Sequence, residues 1–317
     1  MTLNELIIEF LEHLEVEKNF SPLTIKNYHH YLSRFSNWLS KFSPALSSDV
    51  TKINQETIKK YRLYLSRLVD AQNKPLSKIT QNYHIIALRA FFGYLIKKDI
   101  AVLPPEKIDL AKVESRSIKF LTREQIETLL AQPDTSNIVG LRDKAILETL
   151  FSTGLRVSEL AKLNREKINF KTREFGVVGK GGRARVVFLS DSACNWLKAY
   201  LDARKDNFKP LFIRYSRGVD ATKNGENMRL TTRSIERIVE KYVKKAGLPI
   251  DATCHTLRHS FATDLLQAGA DLRSVQELLG HKNIVTTQVY THVTNPQLKE
   301  IHQRFHRNYK NDEKENK

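Results

Sequence analysis

Six residues of this chain are of types that together could cut and rejoin a phosphodiester. His255 is followed three residues later by Arg258, and then by His281 and Tyr290; upstream, Arg156 follows Thr153-Gly154-Leu155, and Lys180 stands within Gly179-Lys180-Gly181-Gly182. Phosphodiesters resist attack because the phosphate is already negative, so the pentacoordinate transition state needs fixed positive charge from metal ions or cationic side chains. Arginine suits that task, since its planar fork donates to two phosphate oxygens and stays charged. Tyr290 would attack the phosphorus while His255 takes its proton. Arg156, Arg258 and His281 would hold the non-bridging oxygens, and Lys180 would protonate the departing 5′-oxygen. The product is a 3′-phosphotyrosine. Attack by a second 5′-hydroxyl reverses the step without ATP. No carboxylate cluster suggests a pair of metal ions, so neither a metal nor a cofactor is expected.

The elements that must position these groups are legible in the hydrophobic period. Thr2-x-x-Glu5 reads as a capping box opening a helix through Leu6, Phe10 and Leu14. Ser21-Pro22 opens a second, with Ile25, Tyr28, Leu32, Phe35 and Leu39 on one face. A third follows Asn54 with Ile58, Tyr61, Leu65 and Leu68; a fourth follows Ser77 and carries Ile79, Tyr83, Ile86, Ala90 and Tyr94. The aperiodic stretch with Pro104-Pro105 reads as a linker. These features predict an N-terminal helical domain over 1–103, a linker over 104–119 and a second domain over 120–317.

That second domain reads as mostly helical with a small β element. Thr122-x-x-Gln125 caps its first helix, and Arg156 lies between a helix end and a following apolar helix. Short strands are expected at Ile168–Phe170, Phe175–Val178 and Arg185–Leu189, with the glycine-rich segment at Lys180 as the turn. Helices follow at Asp191–Arg204, Thr232–Ala246, Thr256–Gln267 and Asp271–Leu279. The polar Arg214–Arg229 segment reads as an exposed loop and Asn311–Lys317 as a frayed tail.

Composition narrows the partner. Lys and Arg total 52 against 35 Asp and Glu, a net charge of +17, which favours a polyanion: nucleic acid or an anionic membrane. No apolar run approaches the ~18 residues of a membrane span, and the N-terminus lacks an export signal. Two distant cysteines, Cys194 and Cys254, fit a reducing compartment. Nucleic acid as the partner and the cytoplasm as the place are therefore expected. Charge also divides the first domain. Residues 1–18 carry five glutamates against Lys18, whereas residues 19–110 carry 14 basic and 6 acidic side chains. The first helix would then face away from DNA, although the same glutamates also fit a merely solvated face.

Several partial motifs have plainer readings. His255-x-x-x-His259 has the spacing of a zinc pair, but Thr256 stands where a zincin has glutamate, so His259 reads as a packing or supporting residue. The glycines around Lys180 do not match a P-loop. Cys254 reads as buried and inert and Cys194 as core.

The ordered set Arg156, Lys180, His255-x-x-Arg258, His281 and Tyr290 resembles that of the tyrosine recombinases, the phage-integrase superfamily. The strings TGLRVSEL (153–160), GKGGRARVV (179–187), HTLRHSFATDLLQAGADL (255–272), VQELLGH (275–281) and TTQVYTHV (286–293) most resemble its Xer branch. The resemblance covers roughly Leu121–Gln303. It implies a mainly α fold with a small β-sheet: a four-helix, SAM-like core-binding domain followed by an α+β catalytic domain, clamped around DNA. It also implies the six catalytic residues named above, with Glu159 supporting them. A homo- or hetero-tetramer on two DNA sites is implied, with half of its protomers active at once and residues from about Asn295 to Tyr309 packed into a neighbour. Resolution of chromosome dimers, with a DNA translocase as possible activator, is the expected role. Integration or excision of a mobile element is the alternative; a type IB topoisomerase and a non-enzymatic DNA-binding protein fit less well.

Overall fold

The computed structural model describes residues 2–70, 73–113, 119–179, 182, 184–215 and 224–280. The chain divides into two compact units, Met1–Arg116 and Ser117–Lys317.

The first unit is built of α1 (Leu3–Val16), α2 (Pro22–Phe42), a single turn α3 (Pro44–Ser47), α4 (Gln55–Arg67) and α5 (Lys78–Lys97). Side chains cap the four long helices where sequence predicts. Thr2 and Glu5 form a reciprocal box, and Ser21, Asn54 and Ser77 accept from the backbone N–H three residues on. The core joins Leu6 and Phe10 of α1 to Leu32, Phe35 and Leu39 of α2, Tyr61 and Leu65 of α4, and Leu88, Phe91 and Leu95 of α5. Aromatic rings lock it, with Phe10–Phe91 centroids 5.5 Å apart and Phe35–Tyr61 4.9 Å apart.

One expectation changes here. Helix α5 does not turn the Ile79–Tyr83–Ile86 stripe inward: Tyr83 and Ile86 are exposed, while Ile85, Leu88, Phe91, Phe92 and Leu95 are buried. Apolar residues occur on two faces of this helix, and the face richer in phenylalanine and leucine wins the core. Residues within the expected linker also pack on this unit. Ile108 is buried in the first core, and Asn82 holds Ala111 through both its amide atoms, at 2.9 and 3.0 Å.

The second unit contains α6 (Arg123–Leu130), α7 (Ile138–Thr153), α8 (Val157–Ala161), β1 (Glu174–Val178), β2 (Ala184–Phe188), α9 (Asp191–Asp202), α10 (Thr232–Lys245), α11 (Cys254–Gln267) and α12 (Leu272–Leu279). Helix α7 is central and packs on α9 and α11. It buries residues all round, including Ala145, Ile146, Leu147, Leu150 and the polar Asp143, Glu148 and Thr149, so its sequence shows no single apolar stripe. The sheet is one antiparallel hairpin, registered Glu174↔Phe188 to Val178↔Ala184. Among the described residues, Ile168–Phe170 forms no strand. Asn169 makes a single bridge to Glu174 and closes a tight turn in which Arg173 takes a left-handed φ of 57°. Helix α11 starts at Cys254, two residues earlier than predicted, because Thr253 provides the cap.

The Arg214–Arg229 segment is not wholly exposed. Met228 is buried, and Arg229 donates to the carbonyls of Ala161 and Leu163 and to Asn164 Oδ1. Residues 216–223 and the tail from 281, including Asn295–Tyr309 and Asn311–Lys317, lie outside the described residues. No helix among the described residues is long and apolar enough to cross a membrane.

Candidate active site

The site begins at the C-terminus of α7. Gly154 ends that helix in the left-handed region at φ 58°, where only glycine avoids a steric penalty. This places Leu155 in the core and Arg156 at the N-cap of α8, in extended backbone. Glu159, one turn into α8, reaches back and accepts from the Arg156 backbone N–H at 2.9 Å and from its Nη1 at 3.0 Å. A carboxylate also suits the first turn of a helix, where the backbone N–H groups point. The Arg156 side chain stays 34% exposed, so its fork is fixed at one edge and accessible at the other.

Arg258 enters from α11 and is 2% exposed. Its Nη1 donates to Gly154 O at 2.5 Å and its Nη2 to Leu279 O at 2.6 Å. One guanidinium therefore ties the end of α7 to the end of α12. The carbonyls at both helix ends carry partial negative charge, which favours a cation there. His255, in the first turn of α11, keeps one part of its surface exposed while the rest packs against protein. Its pKa is lowered, first by burial and then by the positive charges of Arg258 and Arg156, so the imidazole is neutral near pH 7. The Arg258 bond to Gly154 O also ties the helix that carries His255 to the segment that carries Arg156.

Arg185 was not singled out from sequence, yet it belongs to this cluster. It projects from β2 and donates through Nη1 and Nη2 to the two Glu159 oxygens, at 3.0 and 2.8 Å. Its Nε donates to Leu278 O at 3.1 Å. Burial alone would raise the Glu159 carboxyl, but hydrogen bonds from Arg185 and the Arg156 backbone, with the charge of Arg185, bring it down to about 2. A sequence signal existed. Arg185 shares strand parity with the buried Val187, and a cation on the inward face of a strand needs a buried partner.

His259 packs its ring against His255, with centroids 4.3 Å apart and planes at 77°. Among the described residues no three of His, Cys, Asp and Glu gather as a metal site. Cys254 is buried, and that burial pushes its thiol up to about 12, as expected of an inert cysteine. Lys180, His281 and Tyr290 lie outside the described residues. The described residues nearest to them in sequence are Gly179, Gly182 and Gly280, the last ending α12 with a φ of 65°.

In the first unit, α2 and α4 border a groove lined by Lys26, His29, His30, Arg34, Lys41 and Tyr64. Such a basic, aromatic lining has the chemistry of a phosphate-backbone surface.

Residues 7–99 match the N-terminal SAM-like domain of phage integrases, and residues 119–296 match the phage integrase family itself. The chain belongs to this family, the tyrosine recombinases, enzymes that cut and rejoin DNA at specific sites. It is 38% identical to the tyrosine recombinase XerC of Pelotomaculum thermopropionicum over 306 residues, covering 95% of this chain and 97% of that protein. To the tyrosine recombinase XerD of Lacticaseibacillus casei it is 35% identical over 302 residues, covering 95% and 98%. The Tn1549 transposon integrase, solved in complex with transposon right end DNA, shares the fold with a TM-score of 0.74 at 22% identity, over 96% of this chain and 99% of that one.

Proposed function

We propose that this chain exchanges strands between two double-stranded DNA sites through a 3′-phosphotyrosine at Tyr290. The reading is carried by one observation: Arg258, three residues after His255 on α11, donates to Gly154 O, two residues before Arg156, and to Leu279 O, two residues before His281. Burial and the positive charge around His255 favour its neutral imidazole. A neutral imidazole can accept the phenolic proton. As Tyr290 Oη bonds to phosphorus and its proton passes to His255, the bond from phosphorus to the 5′-oxygen breaks, and Lys180 delivers a proton to that oxygen. Arg156, Arg258 and His281 bind the non-bridging oxygens as charge builds. Glu159 holds Arg156 in register. Attack by a 5′-hydroxyl from the partner duplex reverses each transfer.

Similarity to XerC and XerD proteins along 95% of the chain supports resolution of circular chromosome dimers as the biological role. The working assembly is a tetramer on two sites, of one chain or of two related chains, with a DNA translocase as possible activator. The cytoplasm, where the chromosome lies, is its place.

The test is covalent trapping. The protein is incubated with sheared DNA from its own source, the mixture is denatured, and protein-linked fragments are sequenced. The wild type is expected to capture one chromosomal locus, and Tyr290→Phe to capture nothing while binding that locus as well as the wild type does. Capture by Tyr290→Phe would remove Tyr290 from the reaction; capture confined to the ends of a mobile element would replace dimer resolution with element mobility.

A further inference from the structure

We propose that Arg185 is a positioning residue for strand cleavage: it offsets the Glu159 carboxylate so that Arg156 keeps its positive charge for the phosphate, and it fixes the hairpin to the end of α12. The inference rests on the recombinase reading above and extends it to a side chain whose guanidinium is bonded to the protein on all three nitrogens.

The charge balance carries the argument. Glu159 is nearly buried, with a side chain 5% exposed, and lies between two guanidinium groups. Were Arg156 its only partner, the two charges would cancel and the fork would offer phosphate little net attraction. With Arg185 bonded to both carboxylate oxygens, at 3.0 and 2.8 Å, the Arg156–Glu159–Arg185 set carries one net positive charge. The exposures say where that charge is felt: the Arg185 side chain is 11% exposed, the Arg156 side chain 34%. All three Arg185 nitrogens are committed, Nε to Leu278 O at 3.1 Å. Arg185 therefore serves Glu159, and Arg156 is left to serve the substrate.

The same guanidinium links elements far apart in sequence. Arg185 lies on the hairpin five residues after Lys180, and Leu278 lies three residues before His281. The contact with α12 is tight: a Cβ at Gly280 would come within 2.9 Å of Arg185 Cδ and 3.1 Å of its Nη1. Gly280 is thus bare both because its φ is positive and because the arginine lies against it.

The experiment uses the full chain and a nicked duplex carrying the locus that the wild type traps, on which cleavage cannot be reversed. Three quantities are read: the single-turnover rate of adduct formation, duplex affinity by fluorescence anisotropy, and the melting temperature. Arg185→Met is expected to slow adduct formation about 10- to 100-fold while affinity stays within about threefold, since losing a direct oxyanion donor costs more than losing its support. Adding Glu159→Gln to Arg185→Met removes the uncompensated charge and is expected to recover about tenfold of the lost rate, a coupling that a double-mutant cycle isolates. Arg185→Lys, which keeps the charge and loses the fork, should slow the reaction by about three- to tenfold, and it carries the test if Arg185→Met does not fold. The proposal is overturned if Arg185→Met or Arg185→Lys cleaves at the wild-type rate. It is also overturned if Glu159→Gln costs as much in the Arg185→Met background as in the wild type. A wild-type chain that forms no adduct on any DNA would refute the recombinase reading itself, an outcome distinct from either.

Discussion

Replacing Gly154 with alanine tests whether the turn after α7 builds the site. Two costs follow from the structure. At φ 58° a Cβ pays roughly 1–2 kcal/mol for left-handed backbone. That Cβ would also sit 2.4 Å from Phe261 Cδ1 and 2.9 Å from its Cε1, with Leu279 Cδ2 at 3.2 Å, so the ring must move. Overpacking of this kind typically costs about 1–3 kcal/mol. Together these give about 2–5 kcal/mol, a large share of the ~5–15 kcal/mol that stabilises a typical domain. For a unit of this size such a loss lowers the melting temperature by roughly 4–20 °C. Any shift of the Gly154 carbonyl also loosens Arg258, which donates to it at 2.5 Å. Cleavage on the nicked duplex should therefore fall more steeply than the folded fraction does. Urea denaturation measures the stability, and single-turnover adduct formation at a temperature where the variant is folded measures the chemistry. Gly176→Ala on β1 is the control, since nothing lies within 4 Å of its Cβ and its φ is not positive; it should stay within about 0.5 kcal/mol of the parent. A Gly154→Ala protein as stable and as fast as the Gly176→Ala control would refute the reasoning.

Two further outcomes follow from the same cluster. Arg258→Lys cannot reach Gly154 O and Leu279 O with one fork; it should cost about 1.5–3 kcal/mol per lost charged bond and slow cleavage by about 100-fold, with duplex affinity little changed. Denaturation and adduct kinetics read both, and wild-type kinetics would exclude Arg258 from the reaction. Burial, His255 and Arg258 lower His259 from 6.5 to about 4, so between those values the unfolded chain binds more protons than the folded one. The stability linked to His259 is complete above about pH 6.5 and is lost as pH falls toward about 4, at most about 3 kcal/mol in total. His259→Gln should flatten that stretch of the urea stability profile; an unchanged slope would show that another group governs it.

Most of the local structure is set by residues close together in the chain. Capping side chains at Thr2, Ser21, Asn54, Ser77 and Thr122 act within three residues of themselves, so their pattern survives whatever the tertiary fold does. The order of Arg156, Lys180, His255, Arg258, His281 and Tyr290 along the chain was likewise enough to point to a family. Long-range partners were not legible. Nothing local pairs Glu159 with Arg185, 26 residues away, or Arg258 with the carbonyl of Gly154, 104 residues away. The inward face of α5 was decided by packing, because two apolar stripes compete along it and only the neighbouring helices distinguish them. Helix α7 hid from periodicity for a related reason: a helix surrounded by protein needs no polar side. Residue types and spacings state which chemistry is available, whereas the tertiary structure decides which charges meet, since a buried guanidinium takes whatever oxygen the fold brings within reach.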